Sequence, residues 1–219
     1  MDWRRRTTEL HWHAAAVRQG TKARWSLRHA AAVGRRAHVL GWPLVNATDL
    51  VVGDDVRIWS GHRRTLLSGG GRLRLGDRCF VNVGTTLIAV EEIVVGDDVA
   101  FGPEVYVVDS DSHGVEGRPH VQAPVRIGDG CWLGARSIVL PGVALGRRVL
   151  VAAGSVVTRD VPDDVLVAGN PARVVRELTY PPRCRRAWHD AWCPCPEPAC
   201  PEPACPEPAC PEPACPEPA

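Results

Sequence analysis

Between Ile127 and Val157 aliphatic side chains recur every six residues, at Ile127, Leu133, Val139, Leu145, Val151 and Val157. Four places after each of the first five stands a smaller or shorter one: Cys131, Ser137, Val143, Val149 and Ser155. Glycine falls between these apolar steps, at Gly128, Gly134, Gly142, Gly146 and Gly154. A helix would repeat near 3.6 residues and a half-buried strand every 2. Period six with interleaved glycine instead predicts a parallel β-helix, with one short strand per repeat.

The same register runs upstream. Val52-Gly-Asp-Asp-Val56 with Ile58, Leu75-Gly-Asp-Arg-Cys79 with Val81 and Leu87, and Val95-Gly-Asp-Asp-Val99 with Phe101 and Val107 all carry it. Each aliphatic side chain is expected to point inward and stack on its equivalent one coil away, about 4.8 Å distant. Stability is then close to a sum of nearest-neighbour terms. Six or seven coils fit between roughly residues 50 and 170. Two stretches break the register, Trp59 to Leu73 and Asp109 to Pro124, and both are expected to leave the coil as loops. The second, rich in His and Asp, is the better candidate for a binding face.

The ordered motifs Ile127-Gly-Asp-Gly-Cys-Trp-Leu-Gly-Ala135, Pro141-Gly-Val-Ala-Leu-Gly146, Ala153-Gly-Ser-Val-Val-Thr-Arg-Asp160 and Gly169-Asn-Pro-Ala-Arg173 resemble the hexapeptide-repeat acyltransferases. The galactoside and maltose O-acetyltransferases and their polysaccharide-modifying relatives are the nearest branch, and the resemblance covers about residues 50–177. It implies a left-handed coil, a homotrimer with active sites between subunits, and acetyl-coenzyme A as acyl donor. It implies no metal.

Acyl transfer from a thioester to a hydroxyl needs a base, donors for the oxyanion and a groove for the long donor. Histidine serves as base because its ordinary pKa lies near neutrality. His113, in Val108-Asp-Ser-Asp-Ser-His-Gly-Val-Glu116, occupies the loop that carries the family's catalytic histidine, and is the expected general base. Asp109, Asp111 and Glu116 are candidates to orient it. By motif, Trp132, Ala135, Ala153, Thr158, Arg159 and Arg173 are expected to contact coenzyme A, with Arg176 a further candidate. Small side chains let backbone amides approach the pantetheine arm, and arginines suit its phosphates. Ala135 stands where relatives often have serine, so the oxyanion donor there is expected to be a backbone amide.

Asn82, in Phe80-Val-Asn-Val-Gly84, matches an acceptor-facing asparagine of galactoside-type enzymes. Gly84 replaces the second asparagine of that pattern, and Ala89-Val90 replaces an acidic pair. The expected acceptor is therefore a sugar, glycan precursor, nucleotide sugar or glycosylated small molecule rather than a simple galactoside.

Charge enters at the chain's ends. Residues 1–43 hold nine Arg or Lys against two acidic residues, a local net charge of +7, with Trp3, Trp12, Trp25 and Trp42 among them. Alanine and arginine favour helix, so a helical cap is expected over 1–43, with the coil over 44–177. A basic, Trp-bearing cap also suits weak contact with an anionic membrane surface. Nucleic acid is not expected, since the whole chain carries only +1 and shows no base-reading module. Residues 178–219 form an extension ending in five copies of Cys-Pro-Glu-Pro-Ala, whose prolines oppose helix and sheet and predict disorder. Cys79 and Cys131 fall at inward positions and read as buried hydrophobes.

No run of eighteen apolar residues and no secretory leader is legible, so a cytoplasmic enzyme is expected, peripheral to a membrane at most. Two other readings share the coil. A carbonic anhydrase-like hydratase would need three histidines about a zinc, two of them five positions apart, whereas His113 and His120 stand seven apart. A non-catalytic trimeric scaffold would bind no coenzyme A.

Overall fold

The computed structural model describes residue 23 and residues 25–114, 117 and 119–179. Their strands wind as a parallel β-helix of about seven turns with three faces. The first coil comprises β1 (Ala32–Val33), β2 (His38–Gly41) and the start of β3 (Leu44–Val52). The second takes the end of β3, β4 (Arg57–Ser60) and the start of β5 (Leu66–Leu75). The third takes the end of β5, β6 (Phe80–Val81) and β7 (Thr86–Ile88). Then follow β8 (Glu92–Val95), β9 (Ala100–Phe101) and β10 (Tyr106–Val108), then β11 (Val125–Ile127), β12 (Trp132–Leu133) and β13 (Ile138–Val139). The sixth coil is β14 (Ala144–Leu145), β15 (Leu150–Val151) and β16 (Val156–Val157). The seventh holds Val161, bridged to Leu145, and β17 (Val165–Gly169), on which β18 (Ala172–Glu177) folds back antiparallel.

The six-residue period predicts this stacking residue by residue. Leu133 pairs with Phe101 and with Val151, and Ile127 with Val95 and Leu145, all at 3% exposure or less. Each such buried aliphatic contributes about 1.5–3 kcal/mol relative to exposure. The shorter residues also point inward: Cys79, Cys131, Ser137 and Val149 are fully buried.

The edge between first and second faces shows why Gly-Asp recurs. Asp77 Oδ1 accepts the amide of Asp54, Asp97 Oδ1 that of Asp77, and Asp129 Oδ1 that of Asp97, at 2.7–2.9 Å. The coils approach so closely there that a Cβ on Gly76 would sit 2.5 Å from the Gly96 carbonyl. In the adjoining column Arg36 clasps Asp55, Arg78 clasps Asp98 and Arg148 clasps Asp164, each through two hydrogen bonds.

Of three expectations, two are corrected and one, the helical cap, falls largely outside the described residues. The coil starts at Ala32, not at residue 44. Gly34-Arg35-Arg36-Ala37 takes the place of the later Gly-Asp-Asp-Val corner, and Arg35 binds the Asp54 carboxylate at 2.7 Å. The inverted charge conceals the repeat. Secondly, among the described residues the helical part of the N-terminal segment is one turn, closed by the Leu27 amide on the Ala23 carbonyl at 2.9 Å. The helix expected before it lies outside the described residues. Thirdly, Trp59 to Leu73 is not an excursion, because β4 and β5 occupy most of it. Ser68-Gly-Gly-Gly71 is a bend within β5, where a Cβ on Gly71 would meet the Val90 carbonyl carbon at 2.5 Å.

Asp109 to Pro124 does leave the coil, at the edge between third and first faces. Its stem is antiparallel: Asp111 N–H meets the Val121 carbonyl (3.1 Å), Ala123 N–H meets that of Asp109 (2.9 Å), and Ser110 bridges Gln122. The extension from residue 180 onward, with its Cys-Pro-Glu-Pro-Ala repeats, lies outside the described residues.

Candidate functional site

The expected site residues fall on two different edges of the prism. His113 lies in the loop between the fourth and fifth coils, exposed, on the edge between third and first faces. Ser112 just before it has φ 60°, and its amide donates to Ser110 Oγ at 3.1 Å, which turns the chain into His113. Thr158 and Arg159 belong to this loop edge as well, exposed, after β16.

Of the residues considered for orienting His113, Asp109 is committed elsewhere. It is fully buried, and its carboxylate accepts the amides of Val90 (2.8 Å), Glu91 (2.7 Å) and Glu92 (2.7 Å). It therefore pins the base of the loop to the previous coil. Asp111 accepts the Val121 amide at 2.9 Å, and Glu116 lies outside the described residues.

The edge between second and third faces carries the other group. Register places Val83, Pro103, Ala135 and Ala153 in one column, linked by bonds from Glu104 N–H to Val83 O, Arg136 N–H to Pro103 O and Gly154 N–H to Ala135 O (2.8–2.9 Å). The column's own amides differ. Val83 donates to Asn82 Oδ1 (2.8 Å) and Pro103 has no N–H. Among the described residues no acceptor meets the amides of Ala135 or Ala153. Two backbone donors, one coil apart along this edge, are thus left without a protein acceptor among the described residues.

Asn82 begins the same edge two coils earlier, half-buried. Trp132 stands on the second face two coils beyond Phe80, pointing outward at 41% exposure. Arg173 and Arg176 are exposed on β18, Arg173 paired across from Ala168 at the far end of the edge. Asn82, Trp132, Ala135, Ala153 and Arg173 are thus brought to one side, while His113, Thr158 and Arg159 lie across the third face. His62 follows β4 on the edge between second and third faces and His120 sits in the loop on the opposite edge, so one chain does not gather His62, His113 and His120. Among the described residues no group of three His, Cys, Asp or Glu is placed to hold a metal.

The third face between the two edges is apolar. Its outward column runs Leu44, Leu66, Thr86, Tyr106, Ile138, Val156, with Leu44 44% and Tyr106 40% exposed. The first face, by contrast, carries the chain Asp49–Arg72–Glu92–Arg126 at 3.1–3.3 Å. These carboxylates and Pro124 line an open groove of about 350 Å³ at its margin.

Sequence reasoning missed Asp109's structural task and a cluster beside Asn82. There, the Thr65 hydroxyl reaches the carbonyls of both Trp59 (2.6 Å) and Asn82 (3.2 Å). The 23-residue spacing between Trp59 and Asn82 is not a multiple of the six-residue inward period, which hides the pairing in the sequence.

Comparison with known proteins bears on the fold. Residues 124–159 match the family described as the hexapeptide repeat of succinyl-transferase. A galactoside O-acetyltransferase of Lactococcus lactis is 37% identical over 115 residues, half of this chain and 55% of that one. The Escherichia coli galactoside O-acetyltransferase is 33% identical over 121 residues, 51% of this chain and 57% of that one. The chain therefore spans little more than half the length of these relatives. Among solved structures, a hexapeptide-repeat acetyltransferase of Vibrio cholerae complexed with acetyl-coenzyme A superposes with a TM-score of 0.50. It is 27% identical and the match covers 71% of this chain and 75% of that one.

Proposed function

We propose that this chain, a hexapeptide-repeat β-helix similar to the galactoside O-acetyltransferases, moves an acetyl group from acetyl-coenzyme A to a hydroxyl of a sugar or glycan precursor. The observation that carries the proposal is the pair of amides at Ala135 and Ala153 that no protein acceptor meets, in a corner column of small residues. Such an edge admits a thin pantetheine arm, and a fixed N–H suits the oxyanion of a tetrahedral intermediate, where one donor contributes about 10²–10³ in rate. Ala135 is assigned that role, and Ala153 the next amide along the arm. Arg173 is assigned to the donor's phosphates, Trp132 to its flank and Asn82 to the acceptor, while Arg159 and Thr158, on the His113 edge, reach the donor's phosphates and flank from a neighbouring chain.

The base must come from a neighbouring chain. In a cyclic trimer with the apolar third face turned inward, each loop edge meets the opposite edge of the next subunit, because such contacts are head-to-tail. His113 leaves the coil between the fourth and fifth turns, between the heights of Asn82 (third) and Ala135 (fifth). A second chain would also shield its now exposed imidazole from water. His113 then takes the acceptor's hydroxyl proton as that oxygen attacks the thioester carbonyl. The intermediate's oxyanion faces the Ala135 amide, and collapse returns the proton to the departing thiolate.

The similar proteins named above, one bound to acetyl-coenzyme A, support this reading. Calorimetry with acetyl-coenzyme A and a coenzyme A release assay, on wild type and His113→Ala, test it. Micromolar binding in both with turnover lost in the variant is expected. A folded protein that binds no acetyl-coenzyme A would end the proposal. Among the described residues no helix is long and apolar enough to cross a membrane. We further propose that residues 1–43 make at most a weak contact with an anionic membrane surface.

A further inference from the structure

The edge that carries Ala135 and Ala153 changes character on the N-terminal side of Asn82. Alanines give way to aromatic and guanidinium groups. Trp59 lies one coil before Asn82, the two backbones tied by the Thr65 hydroxyl. Its ring meets Phe80 edge-on at 4.8 Å and stays 45% exposed. Arg63 covers Gly84, where a Cβ would sit 3.2 Å from that of Arg63. Arg64 Nε donates to the Trp42 carbonyl at 3.0 Å, and Trp42 is 56% exposed.

The local charge is unbalanced. Glu104 pairs with both Arg63 (3.2 Å) and Arg136 (3.1 Å), while Arg64 beside them has no carboxylate partner among the described residues. Arg63 and Arg136 are also largely exposed, at 62% and 73% of their side chains. Guanidinium forks hold phosphate oxygens in pairs. An exposed indole beside them offers an apolar, planar face. A lipid surface would meet a whole face or an end of the prism, whereas these groups follow one edge into Asn82.

We propose that this stretch is an acceptor subsite for a phosphate-bearing sugar. The sugar lies at Asn82, its phosphate or diphosphate against Arg63 and Arg64, and the planar or apolar group beyond it on Trp59 and Trp42. The inference rests on the acyl-transfer reading and narrows its acceptor to a sugar phosphate or diphosphate rather than a free sugar.

The test uses full-length protein saturated with coenzyme A, so that the donor's own phosphate sites are filled. Uridine diphosphate, pyrophosphate and uridine are titrated by calorimetry into wild type and the Arg63→Gln/Arg64→Gln double variant. Uridine diphosphate is expected to bind wild type, with uridine at least tenfold weaker and the double variant weakened about tenfold or more. Tighter binding of uridine diphosphate than pyrophosphate assigns a nucleoside-linked sugar; equal binding assigns a phosphate carried by a simple or lipid-linked sugar. Uridine binding as well as uridine diphosphate, or an unaffected double variant, overturns the subsite. So does loss of binding to phosphatidylglycerol vesicles in the double variant when neither phosphate probe binds wild type. Acetyl-coenzyme A is titrated into the same samples without coenzyme A. Its failure to bind would defeat the acyl-transfer reading, whereas failure of the phosphate probes alone defeats only this subsite.

Discussion

Asp109 accepts the amide N–H of Val90 at 2.8 Å across the gap between two coils, and its other oxygen takes those of Glu91 and Glu92. One buried carboxylate thus stands in for the ladder bonds that the departing loop forfeits. Asp109→Asn keeps the size but turns an acceptor into a donor facing N–H groups. We expect a loss of about 2–3 kcal/mol in urea unfolding. We also expect a fall in kcat, with acetyl-coenzyme A affinity retained, because the loop that carries His113 loses its anchor.

Pro103 occupies, one coil earlier, the corner position of Ala135. The fold therefore already tolerates proline there, after a glycine in both cases. Ala135→Pro removes a single N–H and little else. It should melt within a few degrees of wild type, yet lose about 10²–10³ in kcat. Circular dichroism and steady-state kinetics on one preparation decide it; unchanged kcat would place the oxyanion donor elsewhere.

Asp54, Asp55 and Asp163 are held below the ordinary carboxylate range, Asp54 and Asp55 first by side-chain bonds from Arg35 and Arg36, and Asp163 first by the Arg147 amide. A lowered folded-state value means the unfolded chain binds protons first as pH falls. The contribution is complete well above about 3.9, the free aspartate value, and is lost below it. Thermal midpoints should hold between pH 7 and 5 and drop towards pH 3. Asp54→Asn/Asp163→Asn should flatten that drop.

Burial pushes the Cys79 and Cys131 thiols up to about 12, and their Sγ atoms lie 3.1 and 3.0 Å from the carbonyls of Gly96 and Gly146. At pH 8 neither offers thiolate to an alkylating agent. Peptide mapping after iodoacetamide should find both unmodified in the native protein and modified after unfolding.

The six-residue period made the inner wall legible because inward residues of stacked coils meet their equivalents, as Leu133 meets Val151. It failed where chemistry replaced hydrophobicity. Arg35-Arg36 stands in for Asp-Asp in the first coil, and glycines that mark a loop elsewhere bend β5 without leaving it. The candidate site is named by motif as a set of residues, while their arrangement comes only from the coil. Motifs named His113 and Ala135 together, while the coil puts them on opposite edges of one face. The proposed assembly would rejoin them, and a single chain's sequence does not encode that distance.

The most direct test of the composite site is subunit mixing. His113→Ala and Ala135→Pro chains, each inactive alone, are unfolded together in equal amounts and refolded into trimers. If His113 of one subunit serves the Ala135 edge of the next, random assembly leaves about a quarter of sites with both intact elements. Coenzyme A release should recover to about that fraction of wild type. Mixed trimers with no recovered activity would show that both residues serve within one chain, or not at all, and would contradict the account.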